Sequence, residues 1–154
     1  MGLSARIPRT VPQSAPRTRP GDSRAYLAFI RSLPCIVTGL PCDDPHHLMR
    51  LRDDNGQAVI KGVGRRHPDR WSLPVSRWLH DALHAAGDDE ALLASLGFDA
   101  RSVCAALWAM REDGNRDELA RRLLDKVRDQ ARLKVGPMWD SRVWALRKKH
   151  GPAA

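Results

Sequence analysis

Apolar positions along this chain fall mostly at helical spacing, broken by two short β-prone runs and one long charged stretch. Ala25, Tyr26, Leu27, Phe29, Ile30 and Leu33 share one helical face behind Ser23, a good N-cap, and Pro34 stops that helix. Cys35, Ile36 and Val37 form a short β-prone run before the turn residues Thr38, Gly39 and Pro41. With the following segment, Cys42 to Met49, they predict a hairpin or paired strands closing on two adjacent histidines, His46 and His47. Trp71 to Val75 reads as a strand interrupted by Pro74, and Arg77 to Ala86 as a helix ending near Gly87.

The remaining pattern is helical. Asp88 and Asp89 open a short helix through Leu96, and Asp99 caps another holding Val103, Leu107 and Met110. Two charged helices follow, Arg116 to Val135 and Met138 to Lys149, the first with Leu119, Leu123, Leu124 and Val127 as its apolar face. Between them and the start lie two stretches without periodicity. Arg50 to Asp69 carries Gly56, Gly62, Gly64 and many charges and reads as a long loop. Met1 to Asp22 is rich in Pro, Arg, Ser and Thr and poor in large apolar residues, so it reads as a disordered basic arm whose Arg6, Arg9, Arg17 and Arg19 could touch phosphates.

Charge changes the picture from fold to partner. The 154 residues hold 26 Lys and Arg against 18 Asp and Glu, a formal net charge of +8 that favours a polyanion. Nucleic acid fits better than a membrane, because no apolar run approaches the about 20 residues of a spanning helix and no signal-type stretch opens the chain. A cytoplasmic protein with no membrane partner is the expectation. Cys35, Cys42 and Cys104, an odd set, point to reduced thiols, and Cys104 on an apolar helical stripe reads as core. A small structural zinc site on Cys35, Cys42 and His46 or His47 is a competing reading, weakened by the wide cysteine spacing.

Three features then coincide: histidines at the end of a strand, a long loop, and a helix with His80 and His84 one turn apart. Residues at i and i+4 share a helix face, so those two imidazoles can address one point. Neighbours on a strand leave on opposite faces, so of His46 and His47 one can ligate while the other acts as base. Lys61, Arg65, Arg66 and Arg70 lie beside this constellation and are the expected DNA face, with Arg142, Arg147, Lys148 and Lys149 as an extension. His67 and His150 lack such context and read as surface residues; Trp71 and Trp108 read as structural.

The order HH, long loop, short strand, HDALH resembles the His-Me finger, or ββα-metal, nucleases of the HNH group. YLAFIRSLPCIVTG, GVGRRHPDRWSLPVSRWLHDALH and LGFDARSVCAALW are similar to phage and prophage HNH-type proteins associated with recombination, over about Tyr26 to Trp108. The resemblance implies His47 as general base and His46, His80 and His84 as metal ligands; Asp69 or Trp71 falls near where the family places the residue that orients the base, often Asn, and Asp69 could accept the proton of the base's other nitrogen. Asp43, Asp44 or Asp81 could complete the metal shell. Many relatives also carry a structural zinc on CxxC and CxxH; here Thr38, Ser76 and Leu79 stand at the matching positions beside Cys35, so no such zinc is expected.

The expected architecture is α+β, a small ββα-metal core embedded in a mostly helical domain. It divides into a disordered arm 1–22, an HNH-like nuclease domain 23–112 and a basic helical extension 113–154. The expected activity is hydrolysis of DNA phosphodiesters with one divalent cation, Mg²⁺ or Mn²⁺ first and Zn²⁺ or Ni²⁺ next, in a bacterial or phage-infected cell. One site per chain suits nicking, and double-strand cleavage would call for a homodimer. The alternative is a non-catalytic DNA-binding or recombination accessory protein with the same fold.

Overall fold

The structure, a computed structural model, describes residues 21–53, 55–59 and 66–152. Among these residues it is an α+β arrangement of six helices around one two-stranded sheet. The arm up to residue 20, and Lys61 and Arg65, lie outside the described residues.

Helix α1 (Arg24–Arg31) starts where the Ser23 hydroxyl accepts from the Tyr26 N–H, and it buries Tyr26, Phe29 and Ile30. Strand β1 (Asp44–His47) pairs antiparallel with β2 (Ser72–Val75), His46 opposite Leu73 and His47 opposite Ser72. Pro45 and Pro74 face each other in this ladder. Neither has an N–H to donate, a loss that a sheet made only of edges tolerates. The Pro74 carbonyl instead accepts from Ile36 N–H at 2.9 Å.

That bond explains why Cys35–Val37 is not a strand. The run is fully buried but turns, with Cys35 N–H on the Leu40 carbonyl at 2.6 Å and Gly39 N–H on the Cys35 carbonyl at 2.9 Å. Gly39, at φ +72°, permits the reversal. Burial, not strand pairing, accounts for these β-prone residues, and the partner of the histidine strand comes from beyond the long loop.

Helix α2 (Arg77–Ala86) gets no side-chain cap from Ser76; its first N–H donates to Asp43 across the turn at 2.9 Å, and Gly87 at φ +72° ends it. Helices α3 (Asp89–Ser95) and α4 (Ala100–Ala109) are capped by Asp88 and Asp99. The Asp99 carboxylate takes the Ser102 N–H at 3.1 Å and its hydroxyl at 2.7 Å. The Ser102 hydroxyl first, and then the backbone bonds, hold the Asp99 carboxyl below its ordinary value. An Asp99→Ala protein should therefore lose about 1 kcal/mol of stability at neutral pH. Because the folded pKa is depressed, the cap's contribution is complete above the unfolded value of about 3.9 and fades as pH falls through the folded one. Thermal melts at pH 7 and pH 3 should show the gap between wild type and mutant closing on acidification.

Helices α5 (Arg116–Val135) and α6 (Met138–His150) close the molecule. The buried stripe of α5 is Ala120, Leu124, Arg128 and Ala131, while Leu119, expected inside, is 39 % exposed. Leu123, Leu124 and Val127 of the expected face do pack on the core, and farther along α5 Ala131 closes on Gly97: a Cβ at Gly97, φ +90°, would lie 2.8 Å from the Ala131 carbonyl oxygen. Arg128 reaches inward to the Cys35 and Ile36 carbonyls, and Trp139 of α6 donates to the Leu96 carbonyl at 3.1 Å. Among the described residues no single helix is long and apolar enough to cross a membrane.

Candidate metal centre

Strand β1 sends its two histidines to opposite sides, as its pleat requires. His46 is fully buried and turns toward α2 and α3, where its Nε2 lies 3.0 Å from Asp89 Oδ2. Its Nδ1 is buried without a hydrogen-bond partner. His80 and His84, one helical turn apart on α2, bring their rings to 5.2 and 5.3 Å from the His46 ring and 4.5 Å from each other. One nitrogen from each of these three residues lies within 4.8 Å of the others, the only such group of potential metal donors among the described residues.

His80 is held below its ordinary value, by burial first and then by the nearness of His46 and His84. Neutral imidazole with an unused lone pair is the form that ligates a metal. The buried, unpartnered His46 Nδ1 and His80 Nδ1 are what a divalent cation would satisfy, so the residues present fit one. The nearest carboxylate to His80 is Asp81, with Oδ1 3.9 Å from Nδ1. Asp43, Asp44 and Asp81 stand outside the group; Asp43 caps α2, and the other two pair with Arg77.

His47 takes the other side of the strand. Its Nε2 is 2.7 Å from Oδ1 of Asp69, which opens a short 3-10 turn (Asp69–Trp71) leading into β2. Asp69 is 1 % exposed and also receives the Ser23 N–H at 2.6 Å and Arg66 at 3.4 Å. A carboxylate that can only accept puts the proton of neutral His47 on Nε2 and leaves the Nδ1 lone pair free. Burial lowers the His47 pKa, Asp69 opposes this, and Arg66 and His46 lower it further; the net shift is downward.

Of the basic residues expected near the site, Arg66 joins Asp69 and Asp22, and Arg70 is exposed with its guanidinium 4.9 Å from the Trp71 ring centre. Arg101 approaches the same ring at 5.9 Å. His67, read as a surface residue, is instead 5 % exposed, just before the 3-10 turn that leads into β2. The cysteines join no metal-donor group: Cys35 contacts the Ser76 hydroxyl at 3.7 Å, Cys104 donates to the Ser72 carbonyl at 3.6 Å, and burial pushes the Cys42 thiol up to about 11.

One residue escaped the sequence pattern. Asp89 is fully buried, although it reads as one of two acidic openers of α3. Asp88 alone caps the helix, through Ala91 N–H at 3.0 Å. Asp89 is thereby free to accept from His46 and from the N–H groups of Met49 and Arg50. Burial would raise its carboxyl, but these bonds outweigh it and hold the group below its ordinary value. The adjacent pair Asp88 and Asp89 carries no local signal of which caps the helix and which turns inward.

A protein family described as a protein of unknown function, DUF968, matches residues 9–95. The chain belongs to that family. The matched span runs to the last residue of α3 and so holds His46, His47, Asp69, His80, His84 and Asp89 together. The chain is also 35 % identical over 69 residues to the uncharacterized protein YdfU of Escherichia coli strain K12; that alignment covers 45 % of this chain and 18 % of YdfU. No solved structure matches it.

Proposed function

We propose that the protein is a metal-dependent DNA endonuclease of the HNH type, and that β1, β2 and α2 are its ββα-metal core. The observation that carries this reading is the convergence of His46, His80 and His84 within 4.8 Å, beside a His47–Asp69 pair held by the next residue of the same strand. His46, His80 and His84 would hold a divalent cation, which would supply positive charge beside the phosphate and the leaving oxygen.

His47 Nδ1 takes a proton from the attacking water as the water oxygen bonds to phosphorus and the bond to the leaving oxygen breaks. Asp69 keeps the ring in the tautomer and orientation that this needs, and it stabilises the imidazolium that forms. Arg66 and Arg70, with the net charge of +8, attract and position the strand.

The test is nicking of supercoiled DNA by the full chain with Mg²⁺, Mn²⁺ or EDTA, alongside thermal melts with and without metal. Metal should raise the melting temperature of the wild type by mass action, and His84→Ala should abolish both that rise and the nicking. A wild type that neither binds metal nor nicks would sink the reading. One observation favours a second reading: position 69 carries Asp where the HNH resemblance places Asn. A non-catalytic DNA-binding protein on the same fold would bind DNA with steep salt dependence and cleave it in no metal.

A further inference from the structure

We propose that Asp89 is a positioning residue for His46, fixing its ring in the Nε2–H tautomer so that the Nδ1 lone pair faces His80 and His84. The proposal deepens the metal-centre reading, although its core can be measured on metal-free protein.

His46 and Asp89 are both fully buried, with Nε2 3.0 Å from Oδ2. Oδ2 also accepts from Met49 N–H, while Oδ1 accepts from the Arg50 and Glu90 N–H groups at 3.3 and 3.1 Å. All three backbone partners of the carboxylate are N–H donors, so it serves as an acceptor and the shared proton belongs to His46 Nε2. Nδ1, buried and without a hydrogen-bond partner, then carries the lone pair. A ligating histidine whose other nitrogen donates to a carboxylate is held in tautomer and direction, and loss of such a partner costs about 10–100-fold in metal affinity.

Placement adds a second element. Asp89 sits at the start of α3, two residues beyond Gly87, which ends the helix bearing His80 and His84. The same carboxylate holds the chain leaving β1 at Met49 and Arg50. One side chain thus fixes the strand that carries one nitrogen donor against the helix that carries two.

The first experiment is long-range ¹H–¹⁵N NMR of the histidine rings in metal-free wild-type protein. The expected result is a fixed Nε2–H tautomer for His46; an Nδ1–H tautomer or an averaged pattern overturns the inference. The second is calorimetric titration with Zn²⁺ and Mn²⁺ of wild type and Asp89→Asn, with melts of both metal-free proteins. The Arg50 and Glu90 N–H groups would hold the amide oxygen at the Oδ1 place and turn the amide nitrogen to His46 Nε2, which favours the wrong tautomer, so affinity should fall by about 10–100-fold. Equal affinity in a folded Asp89→Asn protein overturns the inference. If Asp89→Asn does not fold, the wild-type tautomer decides the matter alone. A wild type that binds neither metal yet shows the Nε2–H tautomer supports the role of Asp89 and overturns the metal-centre reading instead.

Discussion

A His47→Ala protein is expected to nick supercoiled DNA about 10²–10⁴-fold more slowly than wild type, the loss that removal of a general base produces. Its fold and its metal affinity should stay unchanged. The separation follows from the strand: His47 leaves β1 on the side of Asp69, whereas the three imidazoles that converge within 4.8 Å belong to His46, His80 and His84. Metal titration and a thermal melt beside the nicking assay would show whether only the rate has moved. Equal rates for the mutant and the wild type would remove His47 from the mechanism.

The partner of His47 gives a graded version of the same test. Asp69→Asn keeps an oxygen that can accept from His47 Nε2, so its rate should stay well above that of Asp69→Ala. Both changes disturb more than the base, because Asp69 also receives the Ser23 N–H that begins α1. Their metal-free melting temperatures belong beside their rates.

The site was legible in the sequence where chemistry and period coincide. Histidines one turn apart on a helix share a face whatever surrounds them, and adjacent residues on a strand must diverge. His46, His47, His80 and His84 could therefore be assigned to sides before any coordinates. What could not be read is burial that depends on distant partners. Cys35, Ile36 and Val37 have the composition of a strand, but the carbonyl that Ile36 N–H finds belongs to Pro74, far along the chain. Asp89 reads as a helix opener, since nothing local distinguishes a carboxylate that caps from one that turns inward to His46. Leu119 has the spacing of the core face on which Leu123, Leu124 and Val127 do pack, but it lies near the start of α5 and stays 39 % exposed.

Arg128 is the residue whose role most contradicts its appearance, and among the described arginines Arg128→Ala should be the most destabilising truncation. On a helix as charged as α5 an arginine reads as solvated, but this one is 9 % exposed. Its Nη2 and Nε donate to the Cys35 and Ile36 carbonyls at 3.1 and 3.3 Å, and its Nη1 meets Asp125 at 2.8 Å. Truncation strands the buried Ile36 carbonyl and leaves the Cys35 carbonyl with the Gly39 N–H alone, so a loss of about 2 kcal/mol and a fall of about 6 °C in melting temperature are expected. Arg128→Lys should be intermediate, because a single ammonium cannot reproduce the fork that spans both carbonyls. Arg121 also donates to a carbonyl, that of Ser32 at 3.0 Å, but from an exposed position, and Arg121→Ala should change stability by less than about 1 kcal/mol. The damage from Arg128→Ala should extend inward. Ile36 is the residue whose N–H holds Pro74, and Pro74 lies opposite Pro45 in the strand pair that carries His46 and His47. Hydrogen exchange should therefore show lost protection at Ile36 and along β1 as well as in α5. Loss confined to α5 would mean that the C-terminal helices only cover the core and do not brace the strand bearing the site.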